Sequence, residues 1–380
     1  MKILTIIGAR PQIIKSSAIS RAVAKRKGEI EEVVVHTGQH YDKEMSEVFF
    51  EELSIPQPKY NLNIGSGKHG EQTAKMITGI EELLEKEKPD AMLVYGDTNS
   101  TLAGAVATSK IHIPLVHVEA GLRSYNKRMP EEVNRIMADH VSTMLMCPTE
   151  TALKTLEKEG FSLNNKAPFD IDNPAVMFSG DVMYDNAVHF AEIAQEKNLQ
   201  FEKVNIDSDD FILVTVHRDY NTDQAGRLEG IIEGLMEISE KFKVKVLFPI
   251  HPRTKNKIEN LKNKNLTQKF LNHQNIEITL PVPFLDLVKL MTNSKMIVSD
   301  SGGVQKEAFF FKKPCLVLRT ETEWTELVEN GNNLLCESDK KEMVEKFEIL
   351  FNKTDYTFPE FYGNGAASDF IIEQIIKHLN

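Results

Sequence analysis

Cysteine is scarce in this 380-residue chain, with only Cys147, Cys315 and Cys336. They are scattered with no ligand-like spacing, which argues against a disulfide framework or a cysteine metal site and suits a reducing compartment. Positive charge is also short: 45 Lys and Arg face 56 Asp and Glu, for a net charge of −11. That balance argues against a nucleic acid or an anionic membrane as the main partner, while leaving room for a local basic pocket that holds phosphate. Long apolar runs are missing too, and no segment approaches the ~18 residues needed to span a bilayer. Lys2 followed by Ile3-Leu4-Thr5-Ile6-Ile7 imitates a signal peptide, but Gly8-Ala9-Arg10-Pro11 breaks it at once. A cytoplasmic protein is expected. What is present is ordinary globular composition, 41% apolar and 27% charged, at a length that calls for two domains.

Short apolar runs alternate with amphipathic stretches from end to end. Strands are expected at Ile3–Ile7, Val33–His36, Met92–Tyr95, Leu115–Val118, Met144–Cys147 and Val176–Ser179, with helices at Ile13–Arg26, Gln72–Glu87 and Glu131–Val141 between them. The rhythm restarts at Phe211–Val216, Val244–Pro249, Ile276–Leu280, Met296–Ser299 and Cys315–Leu318. Continuous apolar strands separated by helices imply parallel sheets covered on both faces. The expected fold is therefore α/β, with two doubly wound Rossmann-like domains and a ligand cleft between them. The first domain is expected over 1–184, with a C-terminal helix at 365–380 packing back on it, and the second over 185–364. The charged stretch from about Asp185 to Asp210 reads as a helix leading into the second domain, and Asn263, Asn265 and their lysine neighbours as a solvated loop.

In such sheets ligands bind just past the strand ends. The first strand ends in Gly8-Ala9-Arg10-Pro11, so Arg10 stands at a helix N-terminus with Lys15 one turn on, a pair suited to phosphate. Asp97 follows the strand ending at Tyr95, and Glu119 follows the one ending at Val118. Two carboxylates at neighbouring strand ends are better acid/base candidates than structural ones. Glu131 and Arg135 share a helix face; on local grounds Glu131 serves either the helix dipole or the chemistry. In the second half, His217 and His251 each end a strand beside an arginine, which favours anion contacts. The sharpest signal is Asp300-Ser301-Gly302-Gly303, an apolar strand running into two glycines and then a helix. Ser301, Gly302 and Gly303 would offer amides to a diphosphate, and Glu307, one turn on, would accept ribose hydroxyls.

Gly65-Ser66-Gly67-Lys68-His69-Gly70 matches a dinucleotide fingerprint, but Pro56, Pro58 and the preceding Tyr60-Asn61-Leu62-Asn63-Ile64 read as loop rather than buried strand. His36 and His40 are four apart, yet Gly38 between them argues against a helical zinc pair. Neither a metal nor NAD is expected.

Taken in order, Gly8-Ala9-Arg10-Pro11 with Lys15, His36-Thr37-Gly38-Gln39-His40, Gly96-Asp97-Thr98, His117-Val118-Glu119-Ala120-Gly121-Leu122-Arg123, Pro130-Glu131-Glu132 with Asn134-Arg135, Val216-His217-Arg218 and Asp300-Ser301-Gly302-Gly303 with Glu307 resemble the non-hydrolysing UDP-N-acetylglucosamine 2-epimerases. The resemblance covers nearly the whole chain. It implies a GT-B-like fold, a homodimer, a UDP-sugar substrate and a place in surface polysaccharide synthesis. By position it makes Asp97, Glu119 and Glu131 the essential carboxylates, with Arg135 supporting Glu131 and His217 helping the diphosphate leave. Arg10, Lys15, His217, Ser301, Gly302, Gly303 and Glu307 would hold UDP, and Phe284 or Leu287 would lie against the uracil. Trp324 stands where the family has an arginine near the ligand, as in a subgroup acting on modified UDP sugars such as a diacetamido uronic acid or a 6-deoxy sugar. Tyr41 replaces another arginine, in a region tied to allosteric activation.

The C2 proton of an N-acetyl sugar has no adjacent ring carbonyl to acidify it. The resemblance implies removal of that proton coupled to loss of UDP from C1, then re-addition after protonation on the opposite face. A hydrolysing 2-epimerase, a GT-B glycosyltransferase and a silent UDP-sugar sensor are the alternatives.

Overall fold

A computed structural model describes residues 1–38 and 55–379. The chain forms two compact units, Met1–Asn186 with Glu360–Asn380, and Ala187–Pro359. The first unit carries strands β1 (Lys2–Ile7), β2 (Glu31–His36), β3 (Tyr60–Asn61), β4 (Ala91–Tyr95), β5 (Leu115–Val118), β6 (Met144–Cys147) and β7 (Ala175–Phe178). Among the described residues they make one parallel sheet in the order β3-β2-β1-β4-β5-β6-β7. Leu4, Ile6, Val35, Met92 and Val94 are buried on it, packed against Met76, Ile80 and Leu84 from the helix His69–Glu87. A strand apolar at nearly every position is what a sheet covered on both faces requires.

The second unit repeats the plan with β8 (Phe211–Thr215), β9 (Lys245–Pro249), β10 (Ile276–Thr279), β11 (Met296–Ser299), β12 (Cys315–Val317) and β13 (Asn333–Leu335). Its order is β10-β9-β8-β11-β12-β13, again parallel among the described residues. Both units thus have the doubly wound α/β architecture expected from the sequence, two in one chain as in GT-B-like proteins. In each sheet the winding reverses once, between β1 and β4 and between β8 and β11. Ligands of such sheets bind outside the carboxyl ends of the strands at that reversal.

Several elements differ from the sequence reading. Tyr60 and Asn61, read as loop, pair with Val35 and His36 as a two-residue edge strand. The helix expected from about Asp185 to Asp210 runs only Val182–Gln195. Lys289 ends it by donating to the carbonyls of Gln195 (3.3 Å) and Lys197 (2.6 Å). The Glu277 carboxylate then accepts the amides of Glu202, Lys203 and Val204 at 2.7, 2.7 and 3.0 Å, which holds that segment out of helix. The presumed loop around Asn265 is the helix Lys264–Leu271, capped by Asn263 accepting from the Leu266 amide at 3.1 Å. At the end of the chain, the helix Ala367–Leu379 packs against Arg10–Lys25 within the first unit. No helix of the described residues is long and apolar enough to cross a membrane.

Candidate active site

In the first unit, Gln12 joins the ends of β1 and β4. Its Oε1 accepts the amides of Gly8 (2.9 Å) and Ala9 (3.2 Å), and its Nε2 donates to the Tyr95 carbonyl (2.9 Å) and to Thr101 Oγ1 (3.1 Å). Gly8 fits because a Cβ there would lie 2.1 Å from Ser100 Oγ and 2.3 Å from Thr37 Oγ1. This tight junction starts the helix Arg10–Lys25 with Arg10 exposed on its first turn and Lys15 inside the fold. Lys15 forms an ion pair with Glu119, and both side chains are largely buried, 14% and 13% exposed. Glu119 adopts a positive φ of 71°, held by its own amide and that of Ala120 donating to the Met146 carbonyl, each at 3.1 Å. Such a conformation in a non-glycine residue needs surrounding support and is common where side chains are aimed for function.

Asp97, just past β4, pairs with Arg135 from the helix Pro130–His140. Burial pushes the Asp97 carboxyl above its ordinary range; Arg135 and Lys15 pull it back, while Glu119 and Glu131 push it further up. Asp97, Glu119, Glu131, Lys15 and Arg135 therefore act on one another as a single charge cluster, three carboxylates and two cations. Adjacent Glu131 and Glu132 part company here. Glu131 is exposed on the first helical turn, whereas Glu132 is buried and accepts the Ser124 amide (2.8 Å), the Ser124 hydroxyl (3.0 Å) and the Tyr125 amide (2.9 Å). Glu132 holds a loop, and Glu131 stays available.

In the second unit the organising group is Asp300, fully buried at the end of β11. It accepts the amides of His217 (3.1 Å) and Arg218 (3.0 Å) and the Asn221 side-chain amide (3.1 Å). This presents His217 with its side chain half exposed. The helix Gly302–Phe310 starts immediately, capped by Ser301 in extended backbone. A Cβ on Gly303 would meet nothing within 4 Å, so the space over that first turn is open. Over Gly302 lies the segment after β12: Trp324 Nε1 donates to the Gly302 carbonyl (2.9 Å), Lys306 Nζ sits 4.5 Å from the centre of the Trp324 ring, and Arg319 pairs with Glu323 (3.0 Å). Glu307 has its carboxyl pushed up by burial, with only Lys306 opposing, and its side chain has no hydrogen-bond or ion-pair partner among the described residues. A partly buried acceptor left open on the first turns of a helix that starts at two glycines is one a hydroxyl-bearing ligand could complete.

The remaining expected residues are also in the second unit. His251 caps the helix Pro252–Glu259, its Nδ1 accepting the Arg253 amide at 3.2 Å. The neighbouring Arg253, which favoured an anion contact in the sequence, is engaged by Asp219 and Asp223. Phe284 opens the helix Phe284–Asn293, edge-on to Phe190 with ring centres 5.4 Å apart, and Leu287 follows one turn later, half-buried. Among the described residues no cluster of His, Cys, Asp and Glu is arranged to hold a metal ion.

With this geometry in place, residues 22–376 match the UDP-N-acetylglucosamine 2-epimerase family. The chain belongs to that family. It is 47% identical to the UDP-2,3-diacetamido-2,3-dideoxy-D-glucuronate 2-epimerase of Pseudomonas aeruginosa, over 99% of this chain and all of the relative. It is 44% identical to the UDP-N-acetylglucosamine 2-epimerase of Methanocaldococcus jannaschii, over 98% of each. A crystal structure of the M. jannaschii UDP-GlcNAc 2-epimerase, in complex with UDP-GlcNAc and UDP, superimposes with a TM-score of 0.78 at 41% identity, covering 99% of this chain and all of that one. The epimerase family is one of isomerases, and this chain is a UDP-sugar 2-epimerase by class.

Trp324, which stands where the family has an arginine, donates its indole N–H to the Gly302 carbonyl. Sequence reasoning passed over Gln12 and Asp300 as site builders, and over His117 and Asp139 altogether as partners. Asp300 carried a signal, since it directly precedes the glycine turn; Gln12 and Asp139 carried none, because what they bind is distant in sequence. Gln39, His40 and Tyr41 lie outside the described residues.

Proposed function

We propose that this chain interconverts UDP-N-acetylglucosamine and UDP-N-acetylmannosamine by elimination and re-addition of UDP, without NAD or a metal. The observation that carries the reading is the cluster of Asp97, Glu119 and Glu131 with Lys15 and Arg135, three carboxylates of unequal environment in one place. A carboxylate removes the C2 proton as the C1–O bond to UDP breaks, and the electron pair of the C2–H bond becomes the C1–C2 double bond of a 2-acetamidoglucal. A second acid returns a proton to C2 from the opposite face while UDP adds back to C1. A carboxyl raised by burial, as Asp97 is, suits an acid/base working near neutral pH. Arg10, Lys15, His217 and the Ser301-Gly302-Gly303 turn would stabilise the leaving diphosphate. Glu307 would take the ribose, and Phe284 with Leu287 the uracil; His251 is assigned to the same nucleotide. The cytoplasmic location, the homodimer and the role in surface polysaccharide synthesis implied by the resemblance belong to this reading.

One observation favours a second substrate. The Pseudomonas relative at 47% identity acts on a 2,3-diacetamido uronate, so the same chemistry on a modified UDP-N-acetylhexosamine is the alternative. Incubation with UDP-N-acetylglucosamine in D2O, without added NAD, separates the readings by proton NMR. The expected result is deuterium at C2 and a growing UDP-N-acetylmannosamine signal. Free N-acetylmannosamine would indicate hydrolysis instead. Exchange only with the diacetamido uronate would move the assignment to the modified sugar, and exchange with neither would overturn it.

A further inference from the structure

His117 is central to the first unit yet has no part in the chemistry above. Its side chain in β5 is fully buried. Nδ1 lies 2.6 Å from Asp139 Oδ1, and Nε2 lies 2.8 Å from the carbonyl oxygen of Gly96. A carboxylate and a carbonyl only accept, so the two contacts are both hydrogen bonds only when each ring nitrogen carries hydrogen. Burial would push the Asp139 carboxyl up, but the charges and hydrogen bonds of His117 and Arg123 outweigh it and hold the group below its ordinary value. Arg123 lies 2.7 Å from Asp139 Oδ2 and forks onto Glu159 at 2.8 and 2.6 Å. Arg123 thus gives the buried Asp139 carboxylate the charged partner that burial demands.

The contacts of this group fall on the elements that carry the three carboxylates. Through Nε2, His117 fixes the Gly96 carbonyl, and with it the peptide leading into Asp97. Asp139 Oδ2 accepts the Gly121 amide at 3.2 Å, which anchors the turn bearing Glu119. Asp139 itself stands on the helix Pro130–His140, four residues from Arg135 and eight from Glu131, on the same face. We propose that His117 and Asp139 are positioning residues for the reaction: the buried pair locks the turns of Asp97 and Glu119 against the helix of Glu131 and Arg135. This role rests on the function proposed above.

The test combines spectroscopy with kinetics. In the 15N spectrum of the full chain, with the His117 signals identified by their loss in His117→Gln, both ring nitrogens are expected to be hydrogen-bonded donors; a ring nitrogen without hydrogen leaves one of the two contacts unmade and overturns the lock. Asp139→Asn keeps the size of the side chain and removes its charge. Its C2 exchange is expected to fall by about 10²-fold, the scale of a misplacement near 1 Å, while UDP affinity stays within about threefold. His117→Gln can still donate to Gly96 and is expected to retain more exchange than His117→Leu. Exchange by Asp139→Asn within about threefold of wild type, or UDP affinity falling in step with exchange, overturns the positioning role alone. Absence of exchange in the wild type overturns the function and this role together. Should Asp139→Asn not fold, the comparison of His117→Gln with His117→Leu decides.

Discussion

At Asp97, solvation and charge pull in opposite directions. Burial raises its carboxyl, and Arg135 and Lys15 only partly restore it. Because its folded value lies above its unfolded one, the folded protein holds a proton in the interval between the two where the unfolded chain does not. The stability this group contributes is therefore complete below the ordinary aspartate value of 3.8 and is lost as pH rises through the raised value. Asp97→Asn carries no such titration. Its melting temperature is expected to equal or exceed wild type at neutral pH, with the difference shrinking as the pH is lowered through the carboxylate range. Its C2 exchange should fall by ~10²–10⁴-fold, with UDP still bound. A variant that melts lower at neutral pH, or one that turns over normally, would refute the assignment. The neighbours Glu131 and Glu132 supply a matched contrast. Glu131→Gln should remove exchange and leave the melting temperature alone, since Glu131 is exposed. Glu132→Gln, which weakens a buried acceptor of four hydrogen bonds, one of them from Arg135, should lower stability by about 1–3 kcal/mol, read by denaturant titration.

Among the elements, the glycine turns differ in what an added side chain would meet. Gly121 has φ 78°, and a Cβ on it would lie 2.6 Å from the Ala152 carbonyl oxygen, a backbone atom with little freedom to move. Gly121→Ala should therefore destabilise the first unit. Gly303, in the first turn of the helix Gly302–Phe310, has empty space where a Cβ would go. Gly303→Ala should melt no lower than wild type and even gain about 0.5–1 kcal/mol, yet bind UDP at least about tenfold more weakly if the diphosphate occupies that space. Unchanged UDP affinity, by calorimetry, would place the diphosphate elsewhere. The same elements show what a sequence can disclose. Long apolar strands such as Met92–Tyr95 and Met296–Ser299 were legible, because two-sided burial leaves an unbroken apolar run, and the polar residues just past them, Asp97 and Ser301, were legible by position. The edge strands Tyr60–Asn61 and Asn333–Leu335 were not, since two or three residues at a sheet margin leave no periodicity to read. Nor was the His117–Asp139 pair. A histidine inside an apolar strand reads as core, and its partner lies 22 residues away on a helix whose own pattern is satisfied without it.

For the whole molecule, the division into units crosses the sequence in a way that makes a distinct prediction. The last helix, Ala367–Leu379, belongs to the unit that begins at Met1. Its Ile371, Ile372 and Ile375 are fully buried, Asp369 pairs with Lys25 at 2.7 Å, and Asp185 accepts the amides of Ala367 and Ser368 at 3.0 and 2.7 Å. Replacing one buried isoleucine by alanine costs about 2–5 kcal/mol, against a domain stability of about 5–15 kcal/mol. Losing three together leaves the first unit little margin. Deleting residues 367–380 should consequently expose the start of the chain rather than its middle. In hydrogen exchange, the amides of β1 and β4 are expected to lose most of their protection while those of β8 and β11 keep it, because opening is local to a cooperative unit. The second unit should then still bind UDP through the proposed Ser301-Gly302-Gly303 turn, His217 and Glu307, more weakly for the loss of Arg10 and Lys15, whereas C2 exchange should vanish with the Asp97 cluster. Equal loss of protection in both units would mean that the two fold as one, and retained exchange would show that the sugar chemistry does not depend on the first unit.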